Sequence, residues 1–93
     1  MTVKAHVVSP VDMVAYLLAS APTGTTVEAI VGSLTAQDPI PVFHKIALRD
    51  IAAGETIHRG GWSIGRATQD IPTGGHVHTH NLVSAYSTSK DTQ

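Results

Sequence analysis

Residues 47–57 read A-L-R-D-I-A-A-G-E-T-I, and residues 67–77 read A-T-Q-D-I-P-T-G-G-H-V. Aligned at an offset of twenty, Ala47 meets Ala67, Asp50 meets Asp70, Ile51 meets Ile71, Gly54 meets Gly74 and Ile57 meets Val77. A weaker third copy, L-L-A-S-A-P-T-G-T-T-V at 17–27, shares P-T-G with the last and keeps Gly24 and Val27 in the same places. Each copy reads as strand, turn, strand. An apolar stretch ends at Asp or Ser, whose side chain can accept a hydrogen bond from a backbone N–H two residues on. One apolar residue anchors the turn, a glycine supplies the backbone freedom of a reversal, and a second strand follows. The expected architecture is therefore mostly β, built of strand–turn–strand units with short turns and little helix.

The segment D-M-V-A-Y-L-L-A-S at 12–20 admits two periods. Asp12 as an N-cap before Met13, Tyr16 and Leu17 fits a short helix, whereas Val14, Tyr16 and Leu18 alternate as a strand does. Its correspondence with the repeat favours a strand. Residues 32–43 carry two prolines around Ile40, which keeps them extended and out of a central strand. Gly60 and Gly61 break the strand that ends at Arg59. Asp50 and Asp70 are expected to act as turn caps rather than as a catalytic carboxylate pair.

Composition narrows the class further. At 93 residues the chain forms one small domain, expected over residues 1–83, with a polar tail over 84–93. Six basic and seven acidic residues leave no electrostatic footprint for nucleic acid or a membrane surface. The chain has no cysteine, which removes disulfides and thiolate sites. The N-terminus lacks the pattern of a secretory signal, and the longest mostly apolar run, 11–19, contains Asp12 and falls far short of a bilayer span. A soluble, cytoplasmic protein is expected.

Half of the six histidines stand at alternate positions in G-G-H-V-H-T-H-N, residues 74–81. On a flat strand His76, His78 and His80 would share one face, spaced about 6.5–7 Å apart. Adjacent pairs could converge on a divalent metal if the strand bends or a ligand comes from elsewhere. Three ligands from one flat strand would be strained, because Zn–N bonds are about 2.0–2.1 Å. His44 with Lys45, and His58 with Arg59, bring cations near this face, where they could hold a carboxylate-bearing ligand. His6 reads as a surface residue of a strand, and Trp62 as a hydrophobic cover or interface anchor. There is no phosphate-binding glycine loop, nucleophile elbow or H-E-x-x-H motif. The residues alone leave three readings open: half of a shared enzyme site, a stand-alone binder of a small anion or metal, and a purely structural domain.

The stretch F-H-K-I-A-L-R-D-I-A-A-G at 43–54, followed by I-G-R-A-T-Q-D-I-P-T-G-G-H-V-H-T-H-N at 64–81, resembles the SAF-type domain of the altronate and galactarate dehydratase family. The resemblance covers about residues 5–82, and H-V-H-T-H-N is its most specific part. It implies a β-clip, antifreeze-like fold and membership of a lyase that eliminates water from sugar acids with a divalent metal such as Fe²⁺ or Mn²⁺. It further implies a small subunit, inactive alone, whose partner is a large catalytic dehydratase-type chain; the two-chain sulfolactate sulfo-lyase is similar in this arrangement. The implied substrate is a sugar acid or related 2-hydroxy acid. By this resemblance His76, His78 and His80 are metal ligands, with His78 and His80 also placed as catalytic groups. His44, Lys45, Arg59 and Asn81 would bind the substrate. Self-association is left open. Three positions depart from the family pattern: Phe43 stands where glycine is common, Gly60 where tyrosine is usual, and His58 where an apolar residue is usual.

Overall fold

The computed structural model describes residues 2–9, 11–60 and 62–84. Nine strands follow in order: β1 Thr2–His6, β2 Val14–Leu17, β3 Thr26–Ala29, β4 Gly32–Thr35, β5 Lys45–Ala47, β6 Thr56–Arg59, β7 Trp62–Ala67, β8 His76–Val77 and β9 Leu82–Ser84. No helix occurs among the described residues, in keeping with the mostly β reading. Residues 85–93, the greater part of the expected polar tail, lie outside the described residues.

The strands form a six-stranded sheet in the order β4-β3-β1-β2-β5-β8 and a three-stranded sheet β6-β7-β9. All pairings are antiparallel except β1 with β3. The segment with two possible periods is a strand, β2. Its burial does not alternate: Met13, Val14, Ala15 and Leu17 are all buried, because β2 is hydrogen-bonded on both edges and covered on both faces.

The repeat has four members, one more than the sequence shows. Turns at 22–25, 41–44, 52–55 and 72–75 each close with an N–H to C=O bond three residues back, Thr25 to Pro22, His44 to Pro41, Glu55 to Ala52 and Gly75 to Pro72. The third residue of each has positive φ: Gly24 at 91°, Phe43 at 68°, Gly54 at 85° and Gly74 at 86°. These are type II turns, which require that conformation. The unrecognised member is 36–46, A-Q-D-P-I-P-V-F-H-K-I. It lacks the glycine and carries prolines, so residue identity hides it.

The four units pair two by two through the bridges Ala21 with Ile40 and Ile51 with Ile71. In the second pair, Gly54 N–H donates to Ala67 O and Gly74 N–H to Ala47 O, both at 2.8 Å; in the first, Gly24 N–H donates to Ala36 O and Phe43 N–H to Leu17 O, both at 2.8 Å. Each pair is thus an internal two-fold. The same three places in each unit point inward. Leu17, Ala36, Ala47 and Ala67 precede the turn, Ala21, Ile40, Ile51 and Ile71 sit at the bridges, and Val27, Ile46, Ile57 and Val77 follow it; all are buried.

Each pair builds its own half-core. Ala15, Leu17, Ala21, Val27, Ala36, Ile40 and Ile46 belong to one cluster, with Val3 and Ala5 of β1. Met13, Val14, Ala47, Ile51, Ile57, Ala67, Ile71 and Val77 form the other. Strands β2 and β5 contribute to both, one face to each. Burial of each isoleucine or valine at these places contributes about 1.5–3 kcal/mol before conformational entropy is subtracted.

The aspartates cap turns, but across the pair rather than within their own copy. Asp50 Oδ1 accepts from Thr73 N–H at 2.8 Å, and Asp70 Oδ1 accepts from Ala53 N–H at 2.8 Å. Asp12, read from sequence as a possible helix cap, is instead a buried anchor. Its carboxylate accepts from the N–H groups of Val8 (3.1 Å), Ser9 (2.9 Å) and Gly60 (2.6 Å), tying the 7–12 loop to the β6–β7 hairpin.

Candidate functional site

The histidines gather because β5 and β8 are antiparallel neighbours. Ile46 stands opposite His76 and Lys45 opposite Val77, so continuing the register sets His44 beside His78. Residues opposite one another share a face. The His44 and His78 rings accordingly stack with centroids 3.9 Å apart, and His44 Nδ1 lies 2.8 Å from His76 Nε2. One nitrogen of that pair donates and the other accepts. His44, His76 and His78 each offer a nitrogen, and the three lie within 4.8 Å of one another.

The fourth ring, His80, arrives by a different route. β8 ends at Val77, and residues 78–81 form a turn closed by Asn81 N–H to His78 O at 3.0 Å. The expected flat strand face over 76–80 is therefore replaced by a strand end and a turn. The turn folds His80 back toward His76, with ring centroids 4.9 Å apart, and leaves it exposed. Asn81 holds this turn together. The residue is 3% exposed; Oδ1 accepts from His78 N–H at 3.0 Å and Nδ2 donates to His76 O at 2.8 Å. Both ends of the amide that sequence assigned to substrate are engaged by backbone.

The cations fall beside the imidazoles rather than among them. Alternation along β5 turns Lys45 to the side opposite His44, where it faces Tyr16 across the β2–β5 pairing. Lys45 Nζ lies 5.3 Å from the Tyr16 ring centroid and Arg59 Cζ lies 5.0 Å from it, so one aromatic ring collects both charges by cation–π attraction. Tyr16 was not singled out from sequence, and only the β2–β5 register could have shown it. His6 stands opposite Tyr16 on β1 and is exposed, as is His58. Trp62 is 78% exposed, so within the described residues it is not a cover for the core.

Electrostatics favours the neutral form of His76 and His78. Partial burial lowers the pKa of His76, aided by His80, His44 and His78, against a smaller opposing influence of Asp38, whose carboxylate accepts from the backbone N–H of His76 at 3.0 Å. Desolvation also lowers the pKa of His78, followed by His44, Lys45 and His80. A neutral imidazole is the form that ligates a metal. Two nitrogens on one tetrahedral ion sit about 3.4 Å apart for bonds of about 2.1 Å, so a triad already within 4.8 Å fits a divalent cation after small ring movements. His44 enters this set in the place that the family resemblance gave to His80, because the antiparallel partner strand delivers it.

A small all-β domain with a cluster of imidazoles at one end of its sheet order, and two cations collected on an adjacent tyrosine, is the class this fold and site define. The sequence matches the altronate/galactarate dehydratase SAF domain model over residues 3–85, and the chain belongs to that family. Among curated relatives, it is 48% identical over 48 residues to (2R)-sulfolactate sulfo-lyase subunit alpha of Paracoccus pantotrophus, covering 52% of this chain and 72% of that one. The corresponding subunit of Chromohalobacter salexigens is 48% identical over 46 residues, covering 50% of this chain and 49% of the relative. Altronate dehydratase of Escherichia coli is 41% identical over 70 residues, which are 75% of this chain and 14% of that enzyme. No helix among the described residues is long and apolar enough to cross a membrane.

Proposed function

We propose that this chain is the small subunit of a two-chain lyase and supplies the imidazole-bearing half of an elimination site completed by a large catalytic dehydratase-type chain. The substrate is a sugar acid or related 2-hydroxy acid. The observation that carries this reading is the convergence of His44, His76 and His78 in a member of a dehydratase domain family. The relative named as a subunit, at 48% identity, supports a partner chain.

Elimination removes a proton α to a carboxylate, assists the leaving group and stabilises the charge that develops between these steps. His44, His76 and His78 would hold a divalent ion such as Fe²⁺ or Mn²⁺, which when bound polarises the substrate carboxylate. His80 stays outside that triad, exposed and next to His76, where its ring is free to carry a proton to or from the leaving group. Lys45 and Arg59 add positive charge that attracts the anionic substrate, and Lys45 is near enough to His78 to help keep that ring neutral. Asn81 fixes the turn that sets the spacing of His76, His78 and His80.

A second reading within the same class takes sulfolactate as the substrate and sulfite as the leaving group; the identity to the sulfo-lyase subunits favours it. The test is elimination from a panel of sugar acids and sulfolactate by this chain, the source organism's large dehydratase-type chain, and both together with Fe²⁺ or Mn²⁺. Activity in the mixture alone, lost in His78→Ala and His80→Ala variants that still form the complex, is the expected result. Full activity of the large chain by itself would refute the shared site.

A further inference from the structure

Four structurally equivalent turns differ at one place. Three carry glycine at the left-handed position, and the fourth carries Phe43, with φ of 68°. A β-carbon in that region is disfavoured, and bulky residues are genuine outliers there. The register leaves Phe43 no relief: its N–H is held by Leu17 O at 2.8 Å, and the next N–H, of His44, by Pro41 O at 3.1 Å. Strain of this kind persists where the surroundings over-determine it, and it concentrates at functional positions.

The fold gains no packing in return. Phe43 is 69% exposed, and Val42 beside it is 37% exposed. Its place is informative, because this turn leads directly into His44, whose nitrogen completes the imidazole triad. Phe43 directly precedes His44 in that turn, so a chain that closes the site around those rings comes close to it. An exposed aromatic there offers a rigid apolar knob, the kind of group that anchors the centre of a protein–protein interface.

We infer that Phe43 is a docking anchor that inserts into an apolar pocket of the large catalytic chain and aligns the imidazole triad with it. This rests on the two-chain reading proposed above. Its occupant is that catalytic chain, since a carboxylate-bearing substrate gains little from an exposed phenyl ring.

The experiment measures affinity for the source organism's large dehydratase-type chain, and thermal stability of this chain alone, for the wild type, Phe43→Gly and Phe43→Ala. Phe43→Gly relieves the left-handed strain, partly offset by the greater freedom of glycine when unfolded. It should raise Tm by about 2–5 °C and raise Kd about tenfold or more. Phe43→Ala removes the ring but keeps the β-carbon, so it should weaken binding similarly without the gain in Tm. Wild-type affinity in both variants overturns the anchor. So does unchanged affinity with a raised KM for the acid, which would place Phe43 against substrate. Failure of the wild-type chain to bind the large chain at all would defeat the two-chain reading itself, a result separable from either variant outcome.

Discussion

Asp50 and Asp70 secure each other's turns. The Asp50 carboxylate accepts from the backbone and the hydroxyl of Thr73, at 2.8 and 2.9 Å, in the turn that follows Asp70. Asp70 returns the contact to Ala53, at 2.8 Å, in the turn that follows Asp50. The Thr73 bonds hold the Asp50 pKa below its ordinary value of 3.8. A lowered folded-state pKa means that this contribution to stability is complete above pH 3.8 and is lost as pH falls through the lowered value. Asp50→Asn, which can still accept but does not ionise, should therefore show a smaller fall in Tm between pH 5 and pH 2 than the wild type. Equal slopes in thermal scans across that range would contradict the assignment.

Gly54 and Gly74 are equivalent by the two-fold and should differ sharply when mutated. Both have positive φ, but a β-carbon at Gly54 meets open space, whereas at Gly74 it would lie 2.0 Å from Thr35 O. Gln37 N–H bonds to Gly74 O at 2.9 Å, so the first pair of turns presses against the second at this point. Gly54→Ala should cost about 1 kcal/mol, the penalty of the left-handed conformation. Gly74→Ala should cost about 3 kcal/mol or more, since backbone must move. Urea denaturation of both variants decides this.

Asp12 is buried and receives three backbone donors. Asp12→Ala leaves Val8, Ser9 and Gly60 N–H groups without that acceptor and should destabilise the domain by about 2–4 kcal/mol. Proteolysis of the variant should begin near the 7–12 loop or the β6–β7 hairpin. Cleavage first elsewhere would show that Asp12 does not join these two segments.

Removing the wrong histidine should separate the triad from its neighbour. With Co²⁺ as an optical probe, His44→Ala and His76→Ala should abolish or greatly weaken binding to this chain, whereas His80→Ala should retain it. Loss of the Co²⁺ spectrum in His80→Ala, with retention in His44→Ala, would return the site to the alternate-residue set expected from sequence.

The metal-free chain should show His76 and His78 ring resonances titrating below the ordinary value of 6.5. Because folding lowers both values, the unfolded chain binds more protons there. The contribution of these rings to stability is present above pH 6.5 and declines as pH drops below it. NMR midpoints at or above 6.5 for either ring would contradict the desolvated, mutually repelling cluster.

Much of the fold was legible because the pairs Ile51/Ile71 and Gly54/Gly74 repeat both residue and spacing. The strand at β2 was legible for the same reason, through Leu17 and its link to Gly24. The unit at 36–46 was not, because a type II turn constrains backbone conformation rather than identity, and Phe43 adopts by force what glycine adopts freely. The histidine motif was visible, but its geometry was not. Sequence spacing cannot show where β8 stops, nor that antiparallel pairing with β5 carries His44 into the cluster. Asp50 and Asp70 were correctly read as turn caps, yet their partners lie across a two-fold that only the tertiary structure contains.

β2 separates two half-cores and belongs to both, with Ala15 and Leu17 in one and Val14 in the other. Neither half can loosen without stripping apolar cover from this strand, so the two halves are expected to unfold together despite the twofold construction. Amide hydrogens of Ala15 and Leu17 should then exchange with solvent at the rate set by global unfolding, which ties the stability of either half to that of the other.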